Sequence, residues 1–210
     1  MGVGYSVYFT KEELEEYEFV TCLTSADILD LYRKFKLLGG HRAKESAPAG
    51  DVERNGEKKA PLKALLSQKE FIYNPFAQRL CEVFSSEPAF SPTWGDLNFD
   101  EYVDMYNCLS PDAPKDVKMK TAFRLYDFDG NGYLTTEDLE WLLRTIATPP
   151  GKKSGKPRNC LFEQHEINDI VERVMRDCDI DGNHRLSYAE FSKVLDRVPG
   201  FTTRFCIDIN

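Results

Sequence analysis

The stretch Asp127-Phe128-Asp129-Gly130-Asn131-Gly132-Tyr133-Leu134-Thr135-Thr136-Glu137-Asp138 decides how this chain folds. Its oxygen-bearing residues have the spacing of a 12-residue loop that wraps a divalent cation. A Ca²⁺ ion takes six to eight oxygen ligands at roughly 2.3–2.6 Å. Such a loop supplies them from side chains at positions 1, 3 and 5, a backbone carbonyl at 7, position 9, and a carboxylate at 12. Those residues are Asp127, Asp129, Asn131, Tyr133 (through its carbonyl), Thr135 and Asp138. Gly132 at position 6 stands where the chain turns with φ > 0 and a Cβ is costly. Leu134 at position 8 is the apolar residue that faces a partner loop. Thr135 and Asp138 also have the spacing of a helix cap, a role compatible with ligation. Position 12 is ordinarily a bidentate Glu. Asp138 is one methylene shorter, and fewer oxygens at shorter reach favour octahedral Mg²⁺. The expectation is a mixed Mg²⁺/Ca²⁺ site.

Downstream, DIDGNHRLSYAE repeats the pattern in either of two frames. Starting at Asp177 puts Gly182 at position 6 but leaves Tyr188 at position 12, which binds metal poorly. Starting at Asp179 gives Asp179, Asp181, Asn183, the carbonyl of Arg185, Ser187 and Glu190, with Leu186 at position 8. The second frame is preferred. It places His184 at position 6, at a strain of about 1 kcal/mol, but keeps the Glu that suits Ca²⁺. Binding weaker than with Gly is expected there.

Helical periodicity surrounds both loops. Lys115–Tyr126 and a helix ending near Ile146 flank the first, with Ala122, Phe123 and Tyr126 apolar on the entering side. Phe162–Cys178 and a helix ending near Val198 flank the second, with Ile167, Ile170, Val171, Val174 and Met175 on one face. Residues 148–159 read as a basic linker, and Pro199-Gly200 leads into the tail FTTRFCIDIN.

The first half repeats the unit without its ligands. Thr10-Lys11-Glu12-Glu13 and Thr24 to Asp27 open two helices. The second helix carries Ile28, Leu31, Tyr32, Phe35 and Leu38 on one face and stops at Gly39-Gly40. A polar, turn-rich insertion spans about 41–60. Pro61 suits a first helical position, and Asn74-Pro75-Phe76 is a further start. Phe99–Leu109 reads as a helix. Counting back from Glu101 as position 12 puts Gly95 at 6 and Leu97 at 8. Positions 1, 3 and 5 then fall on Phe90, Pro92 and Trp94, so the ligands are gone.

The chain has 210 residues and a formal charge of −8, from 27 Lys plus Arg against 35 Asp plus Glu. Mean hydropathy is −0.47, and no stretch approaches the ~18 apolar residues of a membrane span. An acidic chain is a poor generic nucleic-acid binder, since that binding neutralises phosphates. Six cysteines without a C-x-x-C pair, and no secretory signal pattern, suit a reducing cytosol. Three His with no Ser/His/Asp arrangement give no basis for an enzyme. Gly151–Lys156 lacks phosphate-loop spacing, and His165-Glu166 lacks the second His of a zinc protease.

Taken together, FTKEELEEYEFVTCLTSADIL, NPFAQRLCEVF, AFRLYDFDGNGYLTTEDL and DIDGNHRLSYAEF resemble the calcium- and integrin-binding protein family, relatives of calcineurin B. The likeness runs nearly end to end. Asp at position 12 of the third hand is that family's habit. Departures are the 41–60 insertion, the 148–159 linker and His184.

The resemblance implies an all-α fold of two EF-hand pairs, four helix–loop–helix units of which the two N-terminal ones are degenerate, with a C-terminal extension. The expected domains are an N-terminal lobe (1–110), a metal-binding C-terminal lobe (111–198) and a tail (199–210). The implied function is a Ca²⁺/Mg²⁺-binding regulatory adaptor, mostly monomeric. It would hold amphipathic helical segments of membrane-protein cytoplasmic tails, of integrin or mechanotransduction channel type, in a hydrophobic groove. The tail's Phe201, Phe205, Ile207 and Ile209 could dock in that groove. The alternative is a calcineurin B-like subunit or inhibitor of a phosphatase or kinase; a metal buffer without a target is a third class. Met1-Gly2-Val3-Gly4-Tyr5-Ser6 matches the myristoylation pattern at Gly2. One acyl chain anchors only marginally, so a cytoplasmic protein, peripheral at the plasma membrane when acylated, is expected.

Overall fold

The computed structural model describes residues 8–42, 57–148 and 160–207. Gly2, Ile209 and most of the 41–60 and 148–159 stretches therefore lie outside the described residues. Among the described residues the regular structure is helical, apart from isolated β-bridges. The helices are α1 (Lys11–Val20), α2 (Ser25–Leu37), α3 (Leu62–Leu65), α4 (Ala77–Phe84), α5 (Phe99–Leu109), α6 (Lys115–Tyr126), α7 (Thr136–Ile146), α8 (Gln164–Cys178), α9 (Tyr188–Asp196) and α10 (Phe201–Arg204). None is long and apolar enough to cross a membrane.

The expected ends hold for α5 and α6, for the end of α7, for the starts of α1 and α2 and for the end of α8, and differ by one or two residues at several others. Pro61 caps α3 from outside, with ψ 142°, instead of beginning it. Glu163 caps α8, which starts two residues later than Phe162. α9 ends at Asp196, two residues before Val198, and the tail contains the short helix α10. These are end effects of one or two residues, where helices fray.

The chain forms two compact units. Unit 1 comprises Met1–Gln68, Leu80–Ala113 and Cys206–Asn210; unit 2 comprises Lys69–Arg79 and Pro114–Phe205. Lys69–Arg79 joins the later unit, although it precedes Leu80–Ala113 in the chain.

In unit 1, capping boxes at Thr10, Thr24 and Asn98 set the starts of α1, α2 and α5. α2 packs against both α1 and α5. Its periodic face, Ile28, Leu31, Tyr32 and Phe35, is buried. The core there is aromatic. Phe99 meets Tyr32 edge-on at 5.1 Å and Phe35 at 5.4 Å, and Phe9 meets Tyr32 at 5.1 Å. Each such ring contributes roughly 1.5–3 kcal/mol through burial. Gly39, at φ 88°, ends α2, and a Cβ on Gly40 would stand 2.4 Å from the Phe35 ring. The two glycines therefore let the chain turn tightly against that ring.

In unit 2, α6 packs on α7 and α9, and α8 on α7 and α9. Its core gathers Ala122, Phe123, Leu139, Ile167, Val171, Met175 and Phe191, with the loop residues Leu134 and Leu186. Phe201 and Phe205, stacked at 5.4 Å, pack against this cluster. The fully buried Lys118 ammonium donates to the Thr202 carbonyl at 2.7 Å. Arg79 belongs to this unit as well. Its guanidinium donates to the carbonyls of Asp127 and Leu125 at the end of α6, the latter at 3.3 Å, and lies 5.2 Å from the Phe128 ring.

Candidate functional site

Both loops of unit 2 begin on the residue after a helix and end inside the next. Asp127 follows α6 and Asp179 follows α8. Their amides donate back to Phe123 O and Met175 O, both at 2.9 Å. One oxygen from each of Asp127, Asp129 and Asp138 lies within 4.8 Å of the others; Asp179, Asp181 and Glu190 form an equivalent cluster. Hard carboxylate oxygens converging in a 12-residue loop suit a hard divalent ion.

The closing carboxylate is positioned identically in the two loops. Asp138 Oδ1 accepts from Phe128 N at 2.9 Å, and Oδ2 from Thr135 N at 2.9 Å and Thr135 Oγ1 at 2.7 Å. Glu190 Oε1 accepts from Ile180 N at 2.8 Å, and Oε2 from Ser187 N at 2.9 Å and Ser187 Oγ at 2.7 Å. The bonds from Ser187, followed by that from Ile180, hold the Glu190 carboxyl down at about 2. It is charged at any physiological pH. Asp127 differs. Its burial, together with the Asp129 carboxyl beside it, pushes its pKa up against the lowering effect of the Gly132 and Asn131 amides. A cation placed among these oxygens would reverse that shift.

In the frame that starts at Asp179, position 6 of the second loop has the same geometry as position 6 of the first. Gly132 has φ 83° and donates to Asp127 Oδ2 at 2.9 Å. His184 has φ 60° and donates to Asp179 Oδ2 at 2.8 Å. Gly130 and Gly182, at φ 72° and 71°, share position 4. Asn131 Oδ1 and Asn183 Oδ1 each accept the amide of the position 7 residue, Tyr133 at 2.8 Å and Arg185 at 3.0 Å. Thus all twelve expected residues fall in two equivalent loops. Sequence reasoning missed the contact between their position 7 side chains, where the Arg185 guanidinium stacks 3.9 Å over the Tyr133 ring.

The loops are joined back to back. Leu134 N donates to Leu186 O at 2.9 Å, and Leu186 N to Leu134 O at 2.8 Å. Beside this bridge lies an apolar cavity of about 180 Å³, lined by Leu134, Leu186, Leu139, Leu142, Leu143, Tyr126, Ile170, Val171, Val174, Cys178, Phe191 and Val194. Phe201 and Phe205 are not among its lining residues.

Unit 1 contains a related pair. Ala60 and Leu97 exchange the same two bonds, at 2.8 and 3.1 Å. Gly95 has φ 94°, as expected of position 6. The upstream count needs correction, however. Ser85, not Phe90, follows the helix, and its amide donates to Cys81 O at 3.0 Å. Glu101 accepts from Ser86 N at 2.8 Å and Asn98 N at 2.7 Å, as Asp138 does from Phe128 and Thr135. Position 1 is therefore Ser85 and position 3 is Glu87, in a loop of 17 residues (85–101). Counting twelve back from Glu101 missed Glu87, because five extra residues intervene.

The helix–loop–helix pair with bridged 12-residue loops defines an EF-hand protein. The model of the EF-hand domain pair family matches residues 116–195. Calcium and integrin-binding family member 2 of Danio rerio is 32% identical over 201 residues, 96% of each chain. The Drosophila melanogaster member 2 is 32% identical over 203 residues, 97% of each chain. Member 3 of Homo sapiens is 31% identical over 201 residues, again 96% of each. The chain belongs to the calcium and integrin-binding family.

Proposed function

We propose that this chain is a Ca²⁺- and Mg²⁺-binding regulatory adaptor, not an enzyme, whose unit 2 receives an amphipathic helix in its apolar cavity. Asp127, Asp129, Asn131, Thr135 and Asp138, with the Tyr133 carbonyl, would hold one ion. Asp179, Asp181, Asn183, Ser187 and Glu190, with the Arg185 carbonyl, would hold the other. The ions supply charge that lets clustered carboxylates share one loop. The observation that carries this reading is that Leu134 and Leu186 bridge the two loops and also line the cavity. A change in loop geometry thereby reaches the groove wall directly. The occupant we favour is a cytoplasmic helical segment of an integrin- or channel-type membrane protein, bound by a monomer, because an apolar groove reads the apolar face of a helix. Acylation at Gly2, outside the described residues, would add a weak attachment to the cytoplasmic face of the plasma membrane.

A pulldown in Mg²⁺, in Ca²⁺ and in chelator, with Asp127→Ala and Glu190→Gln as controls, tests the proposal. Capture of membrane-protein tails should depend on metal and fall in both variants. Equal capture in all three conditions would sink it, and recovery of a phosphatase or kinase alone would replace the adaptor role with an enzyme-regulatory one.

A further inference from the structure

The 17-residue loop of unit 1 keeps a closing carboxylate and a second one at position 3, yet its first position is Ser85. Two carboxylates facing one another in a metal loop need positive charge nearby. The Lys59 ammonium stands 2.8 Å from Glu87 Oε1, 3.3 Å from Ser86 Oγ and 3.9 Å from Glu101 Oε2. Lys59 immediately precedes Ala60 of the unit 1 bridge. It therefore has the register of Tyr133, the position 7 residue before Leu134. The Asp96 carbonyl, five residues before the closing Glu101 and so equivalent to position 7 of a 12-residue loop, accepts the Ser85 hydroxyl at 2.8 Å. In a metal loop that carbonyl would be a ligand.

We propose that Lys59 is the resident cation of this loop, so that unit 1 keeps its paired-loop geometry without a divalent ion. The ammonium answers the two carboxylates, and the Ser85 hydroxyl answers the position 7 carbonyl. Because the charge is tethered to the chain, its occupancy does not vary with ion concentration. Unit 2 then responds to metal and unit 1 does not. This inference stands apart from the adaptor reading, since it concerns no partner.

Hydrogen exchange of the full chain, in Ca²⁺ and in chelator, tests it. In the wild type, chelation should speed exchange at the Leu134 and Leu186 amides and leave Ala60 and Leu97 unchanged. In Lys59→Met, the Ala60, Leu97 and Ser86 amides should exchange roughly tenfold faster even in Ca²⁺. Lys59→Arg should retain most of the protection. Exchange at Ala60 and Leu97 that is unchanged in Lys59→Met, or that follows metal in the wild type as at Leu134, overturns the proposal. Should Lys59→Met fail to fold, Ser85→Ala is the milder variant. It should loosen the Leu97 amide while leaving Leu186 unaffected, and no change at Leu97 would count against the proposal.

Discussion

Leu134 and Leu186 exchange both backbone hydrogen bonds across the two loops of unit 2, and their side chains form part of one apolar cavity wall. Each is buried, at 1% and 3% exposure. Leu186→Ala would therefore open a void where the loops meet, at a cost of about 2–5 kcal/mol. Urea denaturation should show a lower midpoint, and, on the proposed adaptor role, calorimetry should show weaker binding of an amphipathic helical peptide.

His184 holds a left-handed φ that glycine adopts without strain. His184→Gly should stabilise the folded loop by about 1 kcal/mol at most, since the greater freedom of unfolded Gly offsets part of the relief. The His184 side chain is exposed, so little packing is lost. Calorimetry should find the site closed by Glu190 tighter in the variant.

Asp138 spends both oxygens on Phe128 N and Thr135 in a pattern that Glu190 also satisfies. Asp138→Glu should therefore fold normally. Its extra methylene should tighten Ca²⁺ binding and weaken competition by Mg²⁺. Competitive titration of the two ions reads both changes, and unaltered selectivity would remove chain length at position 12 as the determinant.

The Lys118 ammonium is fully buried and bonds the Thr202 carbonyl. Lys118→Met should leave that carbonyl without this donor, costing about 1–3 kcal/mol. Limited proteolysis should then cut near α10 faster than in the wild type, with the far-ultraviolet spectrum preserved.

Unit 1 should weaken in acid. Bonds from Lys59 and then Thr93 hold the Glu87 carboxyl below its usual value of 4.5. A depressed carboxyl contributes stability that is present above the unfolded pKa and lost as pH falls through the folded one. The Lys59 ammonium is raised: burial pulls it down, but Glu87 and Glu101 outweigh that. It loses its contribution only at strongly alkaline pH. Protection factors at Ala60 and Leu97, which correct for the intrinsic pH dependence of exchange, should thus hold at neutral pH and fall below about 4.5. Lys59→Met should flatten that acid dependence.

The helical core was legible from periodicity because its faces repeat without interruption. Ile28, Leu31, Tyr32 and Phe35 are buried as spaced, and Ile167, Val171 and Met175 likewise. The unit 2 loops were legible because twelve residues carry six defined chemical roles and no insertion disturbs the count. The unit 1 loop was legible only from its closing end, where Gly95, Leu97 and Glu101 keep their spacing. Beyond Gly95, five extra residues break the register, and the helix end at Phe84 with the Ser86–Glu101 bond restores it. Lys59 was invisible because its partners lie nearly thirty and more than forty residues away. Nothing in the local sequence of Lys69–Arg79 signals that it packs with residues beyond Pro114.

That assignment limits how the molecule can be cut. A fragment beginning at residue 111 would carry both metal loops but not Arg79, whose guanidinium covers the carbonyls of Leu125 and Asp127. Its third hand would begin with a frayed helix end, so a titration of the fragment would misreport the affinity of the intact chain. Adding back a peptide spanning residues 69–79 should restore it, and the first acidic loop would then depend on two stretches of chain that translation delivers dozens of residues apart.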